Sequence, residues 1–299
     1  MNTDPVRRRV VCAGDVIDDI VVTPRGDIRP DTDTAASIRP RPGGSAANTA
    51  AWLGTLGAPV DFVGVVGSDD AARHEALLGA CGVTPHLRAE PDLPTGSIVI
   101  LVEGERRTML TDRGANARLA ASDVDDTLLA DAAVLHLTGY SLVDGPKTPG
   151  VRELIDRAHA AGALVSLTAG SSGFIRDFGV AAFAEATAGV DLLFANADEA
   201  ALLAGQPDPI AAARALADRH GIAVVTRGAG EVLVARHGDA PTPVGVPAAE
   251  LVDPTGAGDA LAAGFLHAHL EGESLPGAAR AGIATAARAI ATIGARPAG

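Results

Sequence analysis

The chain has 299 residues, of which 47% are hydrophobic and 3% aromatic, and its formal net charge is -13 at pH 7. That length suffices for one large α/β domain with a substantial core. The acidic balance excludes a phosphate-backbone binder, which needs clustered Lys and Arg, and the scarcity of aromatics removes the stacking platforms that hold single-stranded nucleic acid.

Cys12 and Cys81 have neither metal-ligand nor C-x-x-C spacing, so they read as core thiols of a reducing compartment. Arg7, Arg8 and Arg9 lead into Val10 to Ala13, an apolar run too short for a signal peptide. No uninterrupted apolar stretch approaches the roughly 20 residues of a membrane span. A cytoplasmic enzyme with no membrane partner is the expectation.

Val10 to Ala13 predicts a buried strand, and Val16 to Val22 a second apolar segment interrupted by Asp18 and Asp19. Alternation along a strand sends one of these carboxylates outward. They mark either a solvated strand edge or a cleft, where an ionised carboxylate offers about four acceptor sites to hydroxyls. Residues 24 to 42, rich in Pro, Asp, Thr and Arg, read as a loop or a small exposed sheet. Pro42-Gly43-Gly44-Ser45-Ala46-Ala47-Asn48 is a glycine turn opening a small-residue helix that stops at Gly57, and Val60 to Val66 follows as a strand. Asn48 has middling helix propensity, so it serves either as a local cap or as an amide directed into a cleft.

Residues 69 to 80 predict a helix. Thr95 to Val102 and Arg107 to Thr111 predict a hairpin around Glu103-Gly104-Glu105-Arg106. The hairpin interrupts the βαβ rhythm, so it projects from the main sheet. Two segments, roughly 16–42 and 93–116, then make a small β lid on a single domain spanning 1–299. Arg113, which closes the hairpin, either reaches a substrate or is solvated. From Ala133 onward strands 133–138, 163–168, 191–195, 222–226 and 231–235 alternate with helices 150–161, 197–204 and 209–219. That rhythm predicts a mainly parallel sheet with helices on both faces. Ligands of such sheets bind beyond the carboxyl ends of the strands. Asn196-Ala197-Asp198-Glu199 and Thr226 to Gly230 therefore share a rim with the loop after Val252, which suits a nucleotide and Mg2+. His136 reads as a packed histidine, and Ala278 to Ile293 as a tail helix ended by Gly294.

The chemistry turns on Leu251 to Leu266. A Pro-Thr turn feeds Gly256 and Gly258, then Asp259, then an Ala/Leu/Phe run at helical spacing, so the glycine loop opens a helix. Outward amides, the helix dipole and close backbone approach make such a start an anion site. Asp259 is either an ordinary acid at the dipole's positive end or a base that takes the proton of a hydroxyl attacking a phosphoryl group. A dinucleotide fingerprint fails here, because Leu261 stands where its third glycine belongs and the loop lies near the chain's end.

The glycine stretches resemble the signatures of the PfkB carbohydrate kinases, in the ribokinase-like superfamily. One likeness is Gly43-Gly44-Ser45-Ala46-Ala47-Asn48-Thr49-Ala50 with Gly57 and Gly67; the other is Asp253 to Asp259 followed by Ala263-Gly264-Phe265-Leu266. Asn196 with Glu199 and the Thr226 to Gly230 loop are similar too, so four ordered motifs cover nearly the whole chain. The resemblance implies a ribokinase-like α/β fold and ATP-dependent phosphorylation of a hydroxymethyl group on an unphosphorylated sugar. The alternatives are a nucleoside kinase and a non-catalytic sugar- or nucleotide-binding member.

By the same resemblance Asp259 is the base and Gly256, Ala257 and Gly258 form the anion hole. Asn196 and Glu199 organise Mg2+ through water, and Thr226, Gly228 and Gly230 line ATP. Asp19, Gly43, Gly44 and Asn48, with Arg113, form the substrate site. Asp253 and the Thr255 carbonyl are the matching ligands for a monovalent cation, K+. Ribokinase itself tends to have Lys where Ser45 stands and an acidic sugar contact in the strand ending Leu137-Thr138-Gly139-Tyr140, so a substrate other than ribose is implied. Asp18 and Asp19 oppose a phosphorylated sugar unless Arg113 or Lys147 offsets them. The few aromatics oppose a nucleoside unless Phe174 or Tyr140 stacks on its base. Lids of this kind pair between subunits by strand addition, which gives a homodimer as the expectation.

Overall fold

The computed structural model describes residues 8–103, 106–142 and 148–297. The hairpin tip at Gly104 and Glu105, and also Arg7 and Lys147, lie outside the described residues. In chain order the elements are β1 (Arg9–Ala13), β2 (Ile17–Pro24), β3 (Ala36–Gly43), α1 (Ser45–Thr55), β4 (Val60–Gly67), α2 (Ala71–Gly79), β5 (Thr84–Glu90), β6 (Gly96–Glu103), β7 (Arg106–Asp112) and α3 (Asp126–Asp131). The second half continues with β8 (Ala132–Thr138), α4 (Thr148–Ala160), β9 (Leu164–Thr168), α5 (Ser172–Phe178), α6 (Val180–Ala186), β10 (Leu192–Asn196), α7 (Ala197–Ala204), α8 (Pro209–His220), β11 (Ile222–Thr226), β12 (Val232–Arg236), β13 (Thr242–Val244), α9 (Ala257–Leu270) and α10 (Leu275–Ile290).

Nine strands form the main sheet in the order β13-β12-β11-β10-β9-β8-β1-β4-β5. From β11 to β5 every pairing is parallel, and β12 and β13 continue one edge antiparallel. The central strands are nearly continuous apolar runs because both faces are covered. All eight residues of β4 are buried. On one face Cys12, Phe62 and Phe194 pack under α1, α9 and α10, with Leu53, Phe265 and Ile283 from those helices. On the other, Leu135, Leu167 and Leu193 meet Ile155, Leu203 and Leu216 of α4, α7 and α8.

Four strands form a second, smaller sheet in the order β3-β2-β6-β7. β2 is an inner strand of it, running antiparallel to β3 and parallel to β6. Period-two alternation along β2 buries Asp19 and leaves Asp18 half-buried.

Several elements carry no sequence signal of their own. β5 is an edge strand whose burial alternates without an apolar run, and α5 and α6 have seven residues each, too few to show a helical period. β13 has three. His136 is fully buried with Nδ1 2.9 Å from Ser166 Oγ, and burial pushes its imidazole down to about 3. Among the described residues no helix is long and apolar enough to cross a membrane.

α9 carries the residues at the centre of the site, so its seating matters. Phe265 is fully buried and meets Phe194 of β10 edge-on, with ring centroids 5.4 Å apart. Phe265→Ala is expected to lower the free energy of unfolding by about 3–5 kcal/mol, read from urea denaturation; an unchanged midpoint would contradict this packing.

Candidate active site

Two cavities meet at Asp259. One, of about 310 Å³, follows the carboxyl ends of β9, β10 and β11, and its walls include Thr168, Asn196, Glu199, Thr226 and the Gly256–Gly258 turn. The other, of about 180 Å³, lies under the small sheet, with Asp15, Asp19, Gly44, Asn48, Ile98, Ile100, Met109 and Arg113 in its walls. Ser45, Tyr140, Gly256 and Asp259 border both.

Two helix starts make this junction. Gly44, at φ 93, turns the chain from β3 into α1, and a Cβ there would lie 2.5 Å from the Asp15 carbonyl oxygen. Lacking a side chain, Gly44 cannot cap the helix. Asp15 does so from the β1–β2 turn: Oδ2 accepts from Ser45 N at 2.8 Å and Oδ1 from Ala46 N at 3.2 Å. Its negative charge thus faces the positive end of α1. Gly256, at φ 78, plays the matching part for α9, and a Cβ there would lie 2.6 Å from that of Ala295.

Asp259 sits in the first turn of α9 and is buried. Its Oδ1 accepts from Ser45 Oγ at 2.6 Å and its Oδ2 from Asn48 Nδ2 at 2.9 Å. Burial pushes its carboxyl up to about 7; the bonds from Ser45 and Asn48 oppose that rise, and the charges of Asp15 and Asp19 add to it. Asp19 also rises to about 7, through burial opposed by the charge of Arg296. Asp18, on the other face of β2, accepts from Arg73 Nη1 at 2.9 Å. Its burial favours the neutral acid, but His74 and Arg73 outweigh that and hold it well below the usual carboxylate range.

At the other cavity, Asn196 and Glu199 form a reciprocal cap of α7. Asn196 Oδ1 accepts from Glu199 N at 2.9 Å, Glu199 Oε2 accepts from Asn196 N at 2.9 Å, and Asn196 Nδ2 donates to Glu199 Oε1 at 2.6 Å. Burial pushes Glu199 up to about 7 against those bonds. Thr226 ends β11 in the cavity wall, whereas Gly228 and Gly230 lie on an exposed turn beyond it and are not in the wall. In the first turn of the α9 loop, Ala257 N donates to Pro254 O at 3.3 Å.

Arg113 Nη2 donates to the Tyr140 carbonyl at 2.5 Å, and its buried Nε has no hydrogen-bond partner among the described residues. Asp253 is surrounded by donors: Thr255 N at 3.0 Å, Thr255 Oγ1 at 2.7 Å, Gly294 N at 3.0 Å and Arg107 Nη2 at 3.2 Å. Its burial favours the neutral acid, but these donors outweigh that and hold it low. The Asp253 charge expected to attract a monovalent cation is met here by Arg107 of β7.

Sequence reasoning missed three groups here, one being Ser45, which it gave no role at Asp259. Asp15 follows Gly14 at a strand end, a weak local signal. Arg296 gave none: it reaches Gly43 O at 2.6 Å and Asn48 Oδ1 at 3.3 Å from the chain's last residues.

A glycine-opened helix and a buried carboxylate stand between a cavity at the strand ends of a parallel sheet and a second one under the small sheet, the setting of an α/β kinase. The chain belongs to the pfkB family: the profile of the pfkB family carbohydrate kinase matches residues 7–298. It is 33% identical over 277 residues to the ATP-dependent ribose-1-phosphate kinase of Halopiger xanaduensis, covering 86% of this chain and 83% of that protein. The crystal structure of adenosine kinase from Sinorhizobium meliloti superposes with a TM-score of 0.87 at 30% identity, over 97% of this chain and 96% of that one. A putative ribokinase II from E. coli, solved in complex with ATP and Mg2+, superposes with a TM-score of 0.83 at 22% identity over 96% and 94% of the two chains, a likeness of fold.

The buried carboxyls carry a stability consequence. With its carboxyl at about 7 in the folded chain and about 4 in the unfolded one, Asp259 holds more protons when folded throughout that window. Its contribution is fully present below about pH 4 and is lost as pH rises through about 7. The melting temperature of Asp259→Asn minus that of the unsubstituted chain should therefore grow more positive from pH 5 to pH 8. A difference independent of pH would contradict the buried, proton-holding carboxyl.

Proposed function

We propose that the chain transfers the γ-phosphoryl group of ATP to a hydroxymethyl group of an unphosphorylated sugar, with Asp259 as the base. The observation that carries this reading is the position of Asp259 where the two cavities meet. The cavity at the strand ends takes the nucleotide, and the one under the small sheet takes the sugar. Asp19 and Asn48 offer hydroxyls an acceptor and a donor, with Gly44 in the wall and Gly43 leaving room for the Asp19 carboxyl behind it.

An alcohol is a weak nucleophile at neutral pH. Asp259 accepts its proton as the new P–O bond forms, a step that general bases accelerate by about 100- to 10,000-fold. The amides of Gly256 and Gly258 at the positive end of α9, joined by that of Ala257 when it gives up its 3.3 Å bond to Pro254 O, stabilise charge on the moving phosphoryl group, where losing a single donor typically costs about 3 kcal/mol. Asn196 and Glu199 fit Mg2+ held through water, since that ion keeps several waters and takes other ligands from phosphates. When bound, it neutralises phosphate charge. Thr226 lines the nucleotide, and the exposed Gly228–Gly230 turn lies beyond it, at the β11 edge of the cavity.

The small sheet serves as a lid whose closure excludes water and so suppresses ATP hydrolysis. Ile38 and Leu110, 65% and 62% exposed on its two edge strands, give a second copy an apolar face to cover, consistent with a homodimer. Use of ATP and two free thiols fit a cytoplasmic setting.

Asp15, Asp19 and Asp259 against Arg113 and Arg296 favour an uncharged acceptor over a sugar phosphate such as the Halopiger enzyme's name implies. A nucleoside is the second reading. Ile17, Ile98, Ile100 and Met109 form an apolar wall suited to a base, with Tyr140 in the same wall, and the Sinorhizobium neighbour is an adenosine kinase.

ADP release with a panel of sugars, sugar phosphates and nucleosides decides among acceptors; turnover confined to nucleosides replaces the sugar reading. Asp259→Asn is expected to lower kcat/KM by about 100- to 10,000-fold while calorimetry shows acceptor binding retained. Wild-type turnover in that variant would overturn the assigned base.

A further inference from the structure

The tail that follows α10 runs back into the site. Ala295 is buried, its carbonyl accepts the Trp52 indole N–H at 2.9 Å, and its Cβ faces Gly256. The next residue, Arg296, is only 8% exposed. Its Nη2 donates to Gly43 O at 2.6 Å and its Nε to Asn48 Oδ1 at 3.3 Å, while Nη1 is buried with no hydrogen-bond partner among the described residues. Burial lowers the guanidinium to about 10, and the carboxylates Asp19 and Asp15 are among the charges that oppose this.

This placement fixes the amide of Asn48. A guanidinium donates and never accepts. The Asn48 oxygen must therefore face Arg296, which leaves the amide nitrogen facing Asp259, to whose Oδ2 it donates at 2.9 Å. Without the guanidinium, the amide is free to turn its oxygen toward the carboxylate, and two acceptors then face each other unless Asp259 takes up a proton.

We propose that Arg296 is a positioning residue for phosphoryl transfer, which acts through Asn48 to keep a hydrogen-bond donor on the Asp259 carboxylate. The proposal rests on the reading of Asp259 as the base. Other groups around Asp259 make the relay matter. Asp15 from the β1–β2 turn, Asp19 from β2 and Glu199 from α7 are negative or neutral acids, and Ser45 of α1 and Tyr140 after β8 bring hydroxyls. Among the cations, Arg113 is bonded to the Tyr140 carbonyl, Arg107 is paired with Asp253, and Arg41 lies on β3 opposite Asp19. Arg296 is the cation bonded to Asn48.

The test is the pH profile of kcat/KM for the full chain with ATP, Mg2+ and whichever acceptor sustains ADP release, compared with Arg296→Met, Arg296→Lys and Asp259→Asn. In Arg296→Met the acid limb should move up by about one pH unit, giving about a tenfold loss on that limb and little loss at pH 9. Arg296→Lys keeps the charge without the planar fork, so it should shift the limb in the same direction by less. A merely structural role lowers kcat/KM equally at every pH, and that result, or an unmoved limb, overturns the proposal. Should circular dichroism show Arg296→Met unfolded, Arg296→Lys carries the comparison, and an unmoved limb there overturns it equally. Turnover that survives Asp259→Asn removes the base assignment instead. An inactive Asp259→Asn with an unmoved Arg296 profile removes only the positioning role.

Discussion

A carboxylate buried at the start of a helix constrains everything around it. Asp259 has left water, so its charge must be met by protein groups or neutralised by a proton. The molecule meets it with the N-terminal turn of α9, the Ser45 hydroxyl and the Asn48 amide. Ser45 and Asn48 come from α1, whose own start is held by Asp15. Two helices separated by most of the sequence therefore have to arrive with their N-termini side by side, and their packing against each other on one face of the parallel sheet is what fixes that arrangement.

The balance is set close to neutrality. Burial drives Asp259 up to about 7 and the two hydrogen bonds draw it back, which suits a group that must take and return a proton near physiological pH. The same burial works against stability as pH rises, so the folded chain carries a strained charge where the proposed chemistry occurs. Asp19 and Glu199 share this condition on the two flanks. A cluster of acids held between neutral and charged is tolerated because cations and helix dipoles converge on it.

Much of this could be read from residue order. Asn196 and Glu199 fall on the strand-end rim where the sequence places them, and the strand 222–226 and helix 197–204 fall where hydrophobic periodicity places them. Gly44 and Gly256 mark turns that need positive φ. Other features left no trace because their causes are not local. β5 is polar and lies at an edge, α5 and α6 are shorter than the pattern that reveals a helix, and Asp15 caps a helix whose sequence lies well downstream. Arg296 reaches Asn48 only because α10 and the tail fold back over α1. The Asp253 loop shows the opposite case: its sequence resembles a cation loop, yet Arg107 arrives from the small sheet to meet the charge, a contact invisible until both sheets are in place.

The small sheet links these parts. Through β2 it places Asp19 in the cavity wall, through β7 it sends Arg107 to the loop before α9, and through β3 it delivers the glycine turn that opens α1. The acceptor cavity is thus built from segments distant in the chain that meet only in the folded state.

A crystal structure with a non-hydrolysable ATP analogue and the acceptor tests the central claim most directly. The account predicts the acceptor hydroxyl within about 2.6–3.2 Å of an Asp259 carboxylate oxygen, with the γ-phosphoryl group at the Gly256–Gly258 turn. An acceptor hydroxyl and a γ-phosphoryl group bound on separate surfaces, with Asp259 facing neither, would contradict it.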